Sequence, residues 1–417
     1  MTQLTDDCFA FGGALLPIEE GIRLIADRVG AVASVETVAL LAADGRVVAE
    51  DIIAPIDLPP YDNAAVDGYA VRHADLRADD RTRLPVEGRD AAGGADPLPL
   101  SPGTARRIFT GARMPPGADT IFMQEDVEAR DGAVLLPSGL RRGANTRPRG
   151  EDIGAGTVAI AAGRRARPQD IALAAALGLA ELTVRRRPRV AIFSTGDEIV
   201  APGGPLVPGK IFDANRFLLA SLAARAGAAV TDLGILADNA ADIARALTDA
   251  AADHDLILTS GGVSTGEEDH VRSAVESAGR LVFWRLAIKP GRPVAMGVIR
   301  GVPFCGLPGN PVAAFVTFAH VARPLLARLA GEAWTPAHRF PVRAAFSYRK
   351  KAGRREYARV RLAPGADGTL EARKHPQEGA GILSSLTATD GLVELPESIL
   401  TVAPGDTVGF LSYAAMV

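Results

Sequence analysis

Apolar positions in "ALLPIEEGIRLIADRVG" recur at helical spacing, with Ile18, Ile22, Leu24 and Ile25 on one face, which predicts an N-terminal helix. "GRVVAEDIIAP" follows with a strand signal. From Asp57 to about Gly150 the texture changes. Short β-like runs such as "RRIFTGA" and "DTIFMQEDV" alternate with Pro/Gly turns, as in a small β-rich domain. "GTVAIAAGRRARPQDIALAAALGLAELTVRR" then gives strand, turn, helix and strand. That segment returns to the element left near residue 53, so the β-rich part reads as an insertion.

Beyond residue 188 the rhythm is strand, loop, helix. "RVAIFSTGDEI" and "HDLILTSGG" are buried strands entering polar loops, and "AAVTDLGIL" and "GVPFCGLPGNP" give two more strands. "RFLLASLAARAG", "NAADIARALTDAAAD" and the run after "GNP" are helices. This alternation predicts a doubly wound parallel sheet, whose ligands sit at the strand C-termini. After "LAGEAWTP" the pattern becomes β again. The expected organisation is an α/β multidomain chain: a small discontinuous linking α+β domain at 27–53 and 155–187, an inserted β-rich domain at 54–154, a central doubly wound α/β domain at 14–26 and 188–332, and a C-terminal β-barrel-like domain at 333–417.

Composition narrows the class. With 417 residues, 47% hydrophobic and 23% charged, the chain has the make-up of a multidomain globular protein. A formal net charge of -3 argues against broad nucleic-acid binding. Two cysteines exclude a disulfide scaffold and a cysteine-rich zinc site, and suit a reducing compartment. No signal pattern and no long charge-free apolar run stand out, so a cytoplasmic protein without membrane attachment is expected.

The chemistry concentrates at strand ends. In "STGDEIV", Asp197 and Glu198 either project into a cleft or belong to a helix cap. "TSGGVSTGEEDH" sets Ser260, Gly261, Gly262, Ser264 and Thr265, suited to an anion, beside Glu267, Glu268 and Asp269, which would repel one. Those acids equally suit a helix start. The loop is not a Walker motif, since no Gly-Lys-Ser/Thr follows, and no GxGxxG opens a helix as a nicotinamide enzyme would need. "AIKPGRP" holds Lys289 and Arg292 at a stiff spacing, either on an oxyanion or in solvent. In "GLPGNPVAAF", Asn310 is a natural N-cap and Pro311 a natural first helical residue, and the helix start offers N–H groups to an anion. "PPYDNAAVDGYAVR" clusters Asp62, Asn63 and Asp67, and "FTGARMPPGADT" adds Thr110. The six histidines show no metal-ligand spacing.

In order along the chain, "NAAVDGYAVR", "FTGARMPPGAD", "GANTRPRGEDI", "STGDEIV", "GKIFDANRFLL", "TSGGVSTGEEDHV", "LAIKPGRPVAMG" and "GLPGNPVAAF" resemble the molybdopterin molybdenumtransferase family, which is also similar to the C-terminal domain of gephyrin. The resemblance implies a molybdopterin-binding central domain, and a reaction. Adenylated molybdopterin is hydrolysed, AMP leaves, and molybdate enters the dithiolene. It further implies Mg²⁺ and an elongated homodimer, with the cleft between the α/β domain of one subunit and the inserted domain of the other. Functional partners would be the molybdopterin adenylyltransferase and recipient molybdoenzymes.

By motif, the resemblance puts the family's catalytic acids on Asp67, Glu198, Asp238 and Asp269, its hydroxyl on Thr110 and its cation on Lys289. Its helix-start prolines fall on Pro308 and Pro311. Hard cations prefer carboxylate and phosphate oxygens, so Glu198 and Asp269 are the expected Mg²⁺ ligands or water-positioning groups. Its molybdate contacts fall on the cationic pair Lys289 and Arg292, with Arg354 and Ser385 added from the last domain, and further substrate-binding residues are expected at Ser260, Gly261, Gly262, Ser264, Arg285 and Asn310. The chain departs from the common pattern at Arg285 and Arg292, where lysines are frequent, and at Ala64 and Ala313, where serines are. Two other readings are compatible with the motifs: a non-catalytic molybdopterin-binding scaffold, and an enzyme that inserts tungstate.

Overall fold

The computed structural model describes residues 4–5, 7–11, 15–261 and 270–416. The predicted first helix is Ile18–Arg28, and it buries Ile18, Leu24 and Ile25. It packs against Arg323–Leu329 of the central domain, so the amphipathic stripe is satisfied within the α/β core.

The linking part is built from chain segments far apart in sequence. Val35–Ala39 pairs antiparallel with Glu181–Arg185, and Ile52–Ile53 with Val158–Ile160. The helix Pro168–Ala176 closes a small core of Val48, Ile160, Ile171, Leu182 and Val184 over them. Between these segments the chain forms a separate six-stranded sheet, in the order Thr120–Met123, Gly68–Val71, Ala105–Ile108, Thr82–Asp90, Ala133–Leu136, Glu128–Arg130. Gly68 opens the second of these strands, where a Cβ would overlap the carbonyl oxygen of Phe122 on the paired strand. A glycine is therefore required directly after Asp67.

The central sheet runs Ala229–Leu236, Arg189–Thr195, Leu256–Ser260, Val302–Leu307, Pro293–Ile299, Gly279–Arg285. The first four strands are parallel; Arg189–Thr195, Leu256–Ser260 and Val302–Leu307 are buried on both faces, whereas Ala229–Leu236, at the sheet edge, is only half-buried or exposed. The last two are antiparallel to their neighbours, so the sheet is mixed rather than parallel throughout. The chain between those two strands does not turn tightly. It leaves the sheet, and Ile288–Lys289 pairs in parallel with Arg355–Glu356 of the C-terminal domain. That excursion is what carries Lys289 to the domain boundary.

Pro311–Leu329 is apolar enough to match a membrane span in composition, but it is 83% buried within the protein, as a core helix is. A short π-helical stretch at Phe318–Ala322 interrupts it. The C-terminal sheet closes on itself. Arg355–Pro364 pairs with Leu370–Lys374 on one side and with Gly391–Leu395 on the other, and Phe340–Ala344 and Thr407–Ser412 complete the ring. The barrel expected from the sequence is thus present, around Val342, Val360, Val393 and Phe410.

Candidate active site

The order of the parallel strands arranges the loops along one edge. Asp238 follows Ala229–Leu236, Glu198 follows Arg189–Thr195, Gly261 follows Leu256–Ser260, and Pro308 follows Val302–Leu307. The strand edge therefore runs from acids at one end, through the glycine loop, to the proline turn. This is where ligands of such sheets bind.

At the proline end lies a cavity of about 640 Å³. One wall is Gly261, Pro308, Gly309, Asn310 and Ala313 of the α/β domain, and the Lys289–Pro290–Gly291 turn forms another side. The barrel supplies the opposite wall through Tyr348, Tyr357, Arg359, Lys374 and residues 377–380. Volume and location suit a cofactor-sized ligand at a domain interface.

Buried polar groups organise this cavity. Asn215 Nδ2 donates to Ser260 Oγ at 2.8 Å and to the Gly309 carbonyl at 2.6 Å. Ser260 Oγ donates in turn to the Pro308 carbonyl at 2.9 Å. Ser260 is 3% exposed, so it joins two strand-end loops and its hydroxyl proton is already engaged. Asn310 occupies the N-cap position of Pro311–Thr317 with Pro311 first in the helix, but its side chain makes no capping bond. The Val312 N–H donates to the Ala380 carbonyl of the barrel at 3.0 Å, so one of the helix-start donors expected to face a ligand holds the domains together instead.

On the barrel side, Glu356 is buried at 1% exposure. Its carboxylate accepts from Tyr348 Oη at 2.8 Å, Arg354 Nε at 2.7 Å and Lys289 Nζ at 3.4 Å. Burial pushes this carboxyl up, but the Tyr348 hydroxyl and the Arg354 and Lys289 charges outweigh it and hold it below its ordinary value. Burial also lowers the Arg359 guanidinium, which donates to the carbonyls of Gly379 at 2.8 Å and Gln377 at 2.9 Å and fixes that loop. Lys374 pairs with Glu378 at 2.6 Å and stands 5.7 Å from the Tyr348 ring.

At the acidic end, the Glu198 carboxylate folds back over Gly196, whose φ of 137° and lack of a Cβ make room for it. Among the described residues no cation pairs with Glu198. Thr195 Oγ1 donates to Asp238 Oδ1 at 3.1 Å, which ties the ends of two neighbouring strands together. No group of three His, Cys, Asp or Glu residues suited to a metal occurs among the described residues. Gly262, Ser264 and Asp269 lie outside the described residues.

Asp67 and Thr110 meet each other in the inserted domain. One Asp67 oxygen accepts the Thr110 N–H at 2.8 Å and its hydroxyl at 2.8 Å. The backbone bond first, then the hydroxyl, holds the Asp67 carboxyl below its ordinary value. Neither residue lines the cavity of its own chain. Arg285 and Arg292 are exposed, and each backbone carbonyl accepts a bond that shapes the excursion: Leu16 N to Arg285 O at 2.7 Å and Leu286 N to Arg292 O at 2.7 Å. Arg354 bonds Glu356 through Nε at 2.7 Å and does not line the cavity. Ser385 is wholly buried and donates to the Ile382 carbonyl.

Four residues that organise the site were not singled out by sequence reasoning: Asn215, Tyr348, Glu356 and Arg359. Asn215 lies inside the recognised "GKIFDANRFLL" motif, so a signal was present. Glu356 falls in "GRREYAR", where a carboxylate between arginines reads as an ordinary strand residue.

Comparison with known proteins accounts for nearly the whole chain. Residues 16–178 match the MoeA N-terminal region (domain I and II), residues 191–328 the probable molybdopterin binding domain, and residues 341–413 the MoeA C-terminal region (domain IV). The chain is 38% identical over 368 residues to molybdopterin molybdenumtransferase of Haemophilus influenzae, covering 88% of this chain and 91% of that one. It is 39% identical over 402 residues to molybdopterin molybdenumtransferase 2 of Mycobacterium tuberculosis H37Rv, covering 93% and 97%. The crystal structure of the molybdopterin biosynthesis moeA protein from Pyrococcus horikoshii OT3 superposes with a TM-score of 0.81 at 30% identity, covering 96% of this chain and 100% of that one. Matched across all of its parts, in order and over relatives of its own length, the chain belongs to the molybdopterin molybdenumtransferase family.

Proposed function

We propose that this protein hydrolyses adenylated molybdopterin, releases AMP and inserts molybdate into the dithiolene. The observation that carries the reading is the graded strand edge, with carboxylates at one end and a cation-bearing cavity at the other. Such an edge accommodates a substrate with a phosphoanhydride at one end and an incoming oxyanion at the other. Lys289 offers a point charge at the cavity wall. Asp67, held ionised by Thr110, would orient the attacking water or a substrate hydroxyl. Cleavage breaks one P–O bond of the anhydride, and water supplies the oxygen and protons of the two products.

The hard oxygen donors at the acidic end fit Mg²⁺ in kind. Glu198 has no competing cation among the described residues, and Asp238 stands on the adjacent strand end. Glu198 would hold the ion together with Asp269. When bound it supplies charge neutralisation of the pyrophosphate.

The reading includes a homodimer. Leu206, Val207, Ile211, Phe212 and Phe217 are 54%, 52%, 60%, 41% and 47% exposed within a twelve-residue stretch, a concentration of large apolar side chains that suits burial against a second copy. In that dimer the Asp67–Thr110 pair of one subunit would serve the strand edge of the other, which explains its separation from the cavity of its own chain. A cytoplasmic location goes with this reading, and both cysteines are free and buried. The direct test is mixing of Asp67→Asn and Lys289→Ala subunits, each of which is expected to lack AMP release alone. Recovered AMP release after subunit exchange supports the composite site, and no recovery refutes it.

A further inference from the structure

The family resemblance assigns the oxyanion to Lys289 and Arg292, with Arg354 added from the last domain; of these, Lys289 and Arg354 come from different domains. What they share is one carboxylate. Glu356 accepts from Arg354 Nε through one oxygen at 2.7 Å, and from Lys289 Nζ at 3.4 Å and Tyr348 Oη at 2.8 Å through the other. The carboxylate is 1% exposed, whereas the side chains of Lys289 and Arg354 are 44% and 36% exposed. The negative charge is therefore the most buried of the three, and of the two cations Lys289 lines the cavity. Backbone pairing supports the arrangement, since Lys289 and Glu356 are register partners where the excursion from the α/β sheet joins the barrel. The Lys289 contact is the longest of the three. The ammonium is thus held near the carboxylate and remains able to turn toward an anion in the cavity, while Tyr348 and Arg354 keep Glu356 compensated.

We propose that Glu356 is a positioning residue for the oxyanion subsite: it holds the Lys289 ammonium at the cavity wall and couples it to Arg354 across the domain boundary. The assignment rests on the functional reading above. A buried carboxylate in this role lowers the entropy lost when the anion is bound, because the long lysine side chain is ordered beforehand. It also pairs with both cations, so that neither is left unpaired when the cavity holds no anion.

The test is equilibrium dialysis with molybdate alone, for the wild type, Glu356→Gln, Lys289→Ala and the double variant, with near-ultraviolet circular dichroism as the check on folding. Glu356→Gln keeps the shape and removes the charge. It is expected to weaken molybdate binding about tenfold, as loss of a charge-assisted contact does. The double variant is expected to bind no worse than Lys289→Ala, because the two residues act as one unit. In turnover, half-saturation for molybdate should rise while that for adenylated molybdopterin changes less than about twofold, the pattern of a local anion subsite. Additive losses in the double variant, or equal shifts for both substrates, would overturn the assignment. If Glu356→Gln does not fold, Glu356→Asp replaces it, with an expected loss of about threefold that is again absent in the Lys289→Ala background. Wild-type protein that binds no molybdate would overturn the functional reading and this inference with it. Wild-type binding with an unaffected Glu356→Gln overturns the inference alone.

Discussion

Thr110 donates twice to one oxygen of Asp67, through its backbone N–H at 2.8 Å and its hydroxyl at 2.8 Å. These bonds stabilise the ionised carboxylate, so Asp67 stays charged to lower pH than an ordinary aspartate. Thr110→Ala removes the hydroxyl bond and leaves the backbone bond. AMP release should fall about tenfold, the scale of one charge-assisted hydrogen bond. The sign of the pH effect follows: activity that needs ionised Asp67 should be lost at higher pH in Thr110→Ala than in the wild type. A pH–rate profile of both proteins measures it, and coincident acid limbs would refute the role.

Glu332 ties the linking domain to the central domain. It is 9% exposed and pairs with Arg165 at 2.6 Å and with Arg323 at 3.2 Å. Glu332→Gln leaves two arginines facing a neutral group and should destabilise the fold by about 3 kcal/mol, as breaking a buried pair does. Burial raises the Glu332 carboxyl, but the two arginines outweigh burial and lower it overall. Its contribution is then complete above the unfolded value of about 4.3 and is lost as pH falls through the lower folded value. Thermal midpoints measured from pH 6 to pH 3 should show this acid-dependent component in the wild type and not in Glu332→Gln.

Much of this architecture is legible in the sequence because it depends on local pattern. The alternation of buried strands and helices after residue 188, and the return of β texture near the C-terminus, follow from hydrophobic periodicity alone. The strand-end loops are conspicuous for their glycines, prolines and charges, and the fold places Glu198, Asp238, Gly261 and Pro308 along one edge. Relationships set by tertiary pairing are not legible. Nothing in "LAIKPGRP" reveals that Lys289 pairs with Glu356, since the contact spans two domains. The engagement of Ser260 by Pro308 and Asn215, and of the Val312 N–H by Ala380, is likewise a product of packing. The antiparallel strands that complete the central sheet carry apolar runs like those of the parallel ones, so composition does not distinguish them.

Gly291 shapes the turn that presents Lys289 and Arg292. Its φ is 105°, and an added Cβ would lie 3.2 Å from both the Ala313 carbonyl oxygen and Thr317 Cγ2. Gly291→Ala should cost about 1–3 kcal/mol of stability through backbone strain. Because the turn would have to move, half-saturation for molybdate should rise as well. Chemical denaturation and a molybdate titration of the same variant test both effects.

Phe212 and Phe217 belong to the exposed apolar stretch assigned to the dimer, at 41% and 47% exposure. Replacing both by Asp should give a monomer by light scattering with its circular dichroism intact. Since Asp67 of the partner would then be missing, AMP release should be lost together with dimerisation. An active monomer would refute the composite site.

Chelation of divalent cations should abolish AMP release reversibly, with recovery on addition of Mg²⁺. Glu198→Gln should raise the Mg²⁺ concentration needed for half-maximal release about tenfold, the loss expected for one carboxylate ligand. An unchanged Mg²⁺ requirement in that variant would remove Glu198 from the metal site.

The most direct test of the central claim is AMP formation when the purified protein is given adenylated molybdopterin, Mg²⁺ and molybdate. Stoichiometric release of AMP, with molybdenum appearing on the dithiolene, is the predicted result. Binding of adenylated molybdopterin without AMP release, under the same conditions, would contradict it and identify a protein that holds the substrate without turning it over.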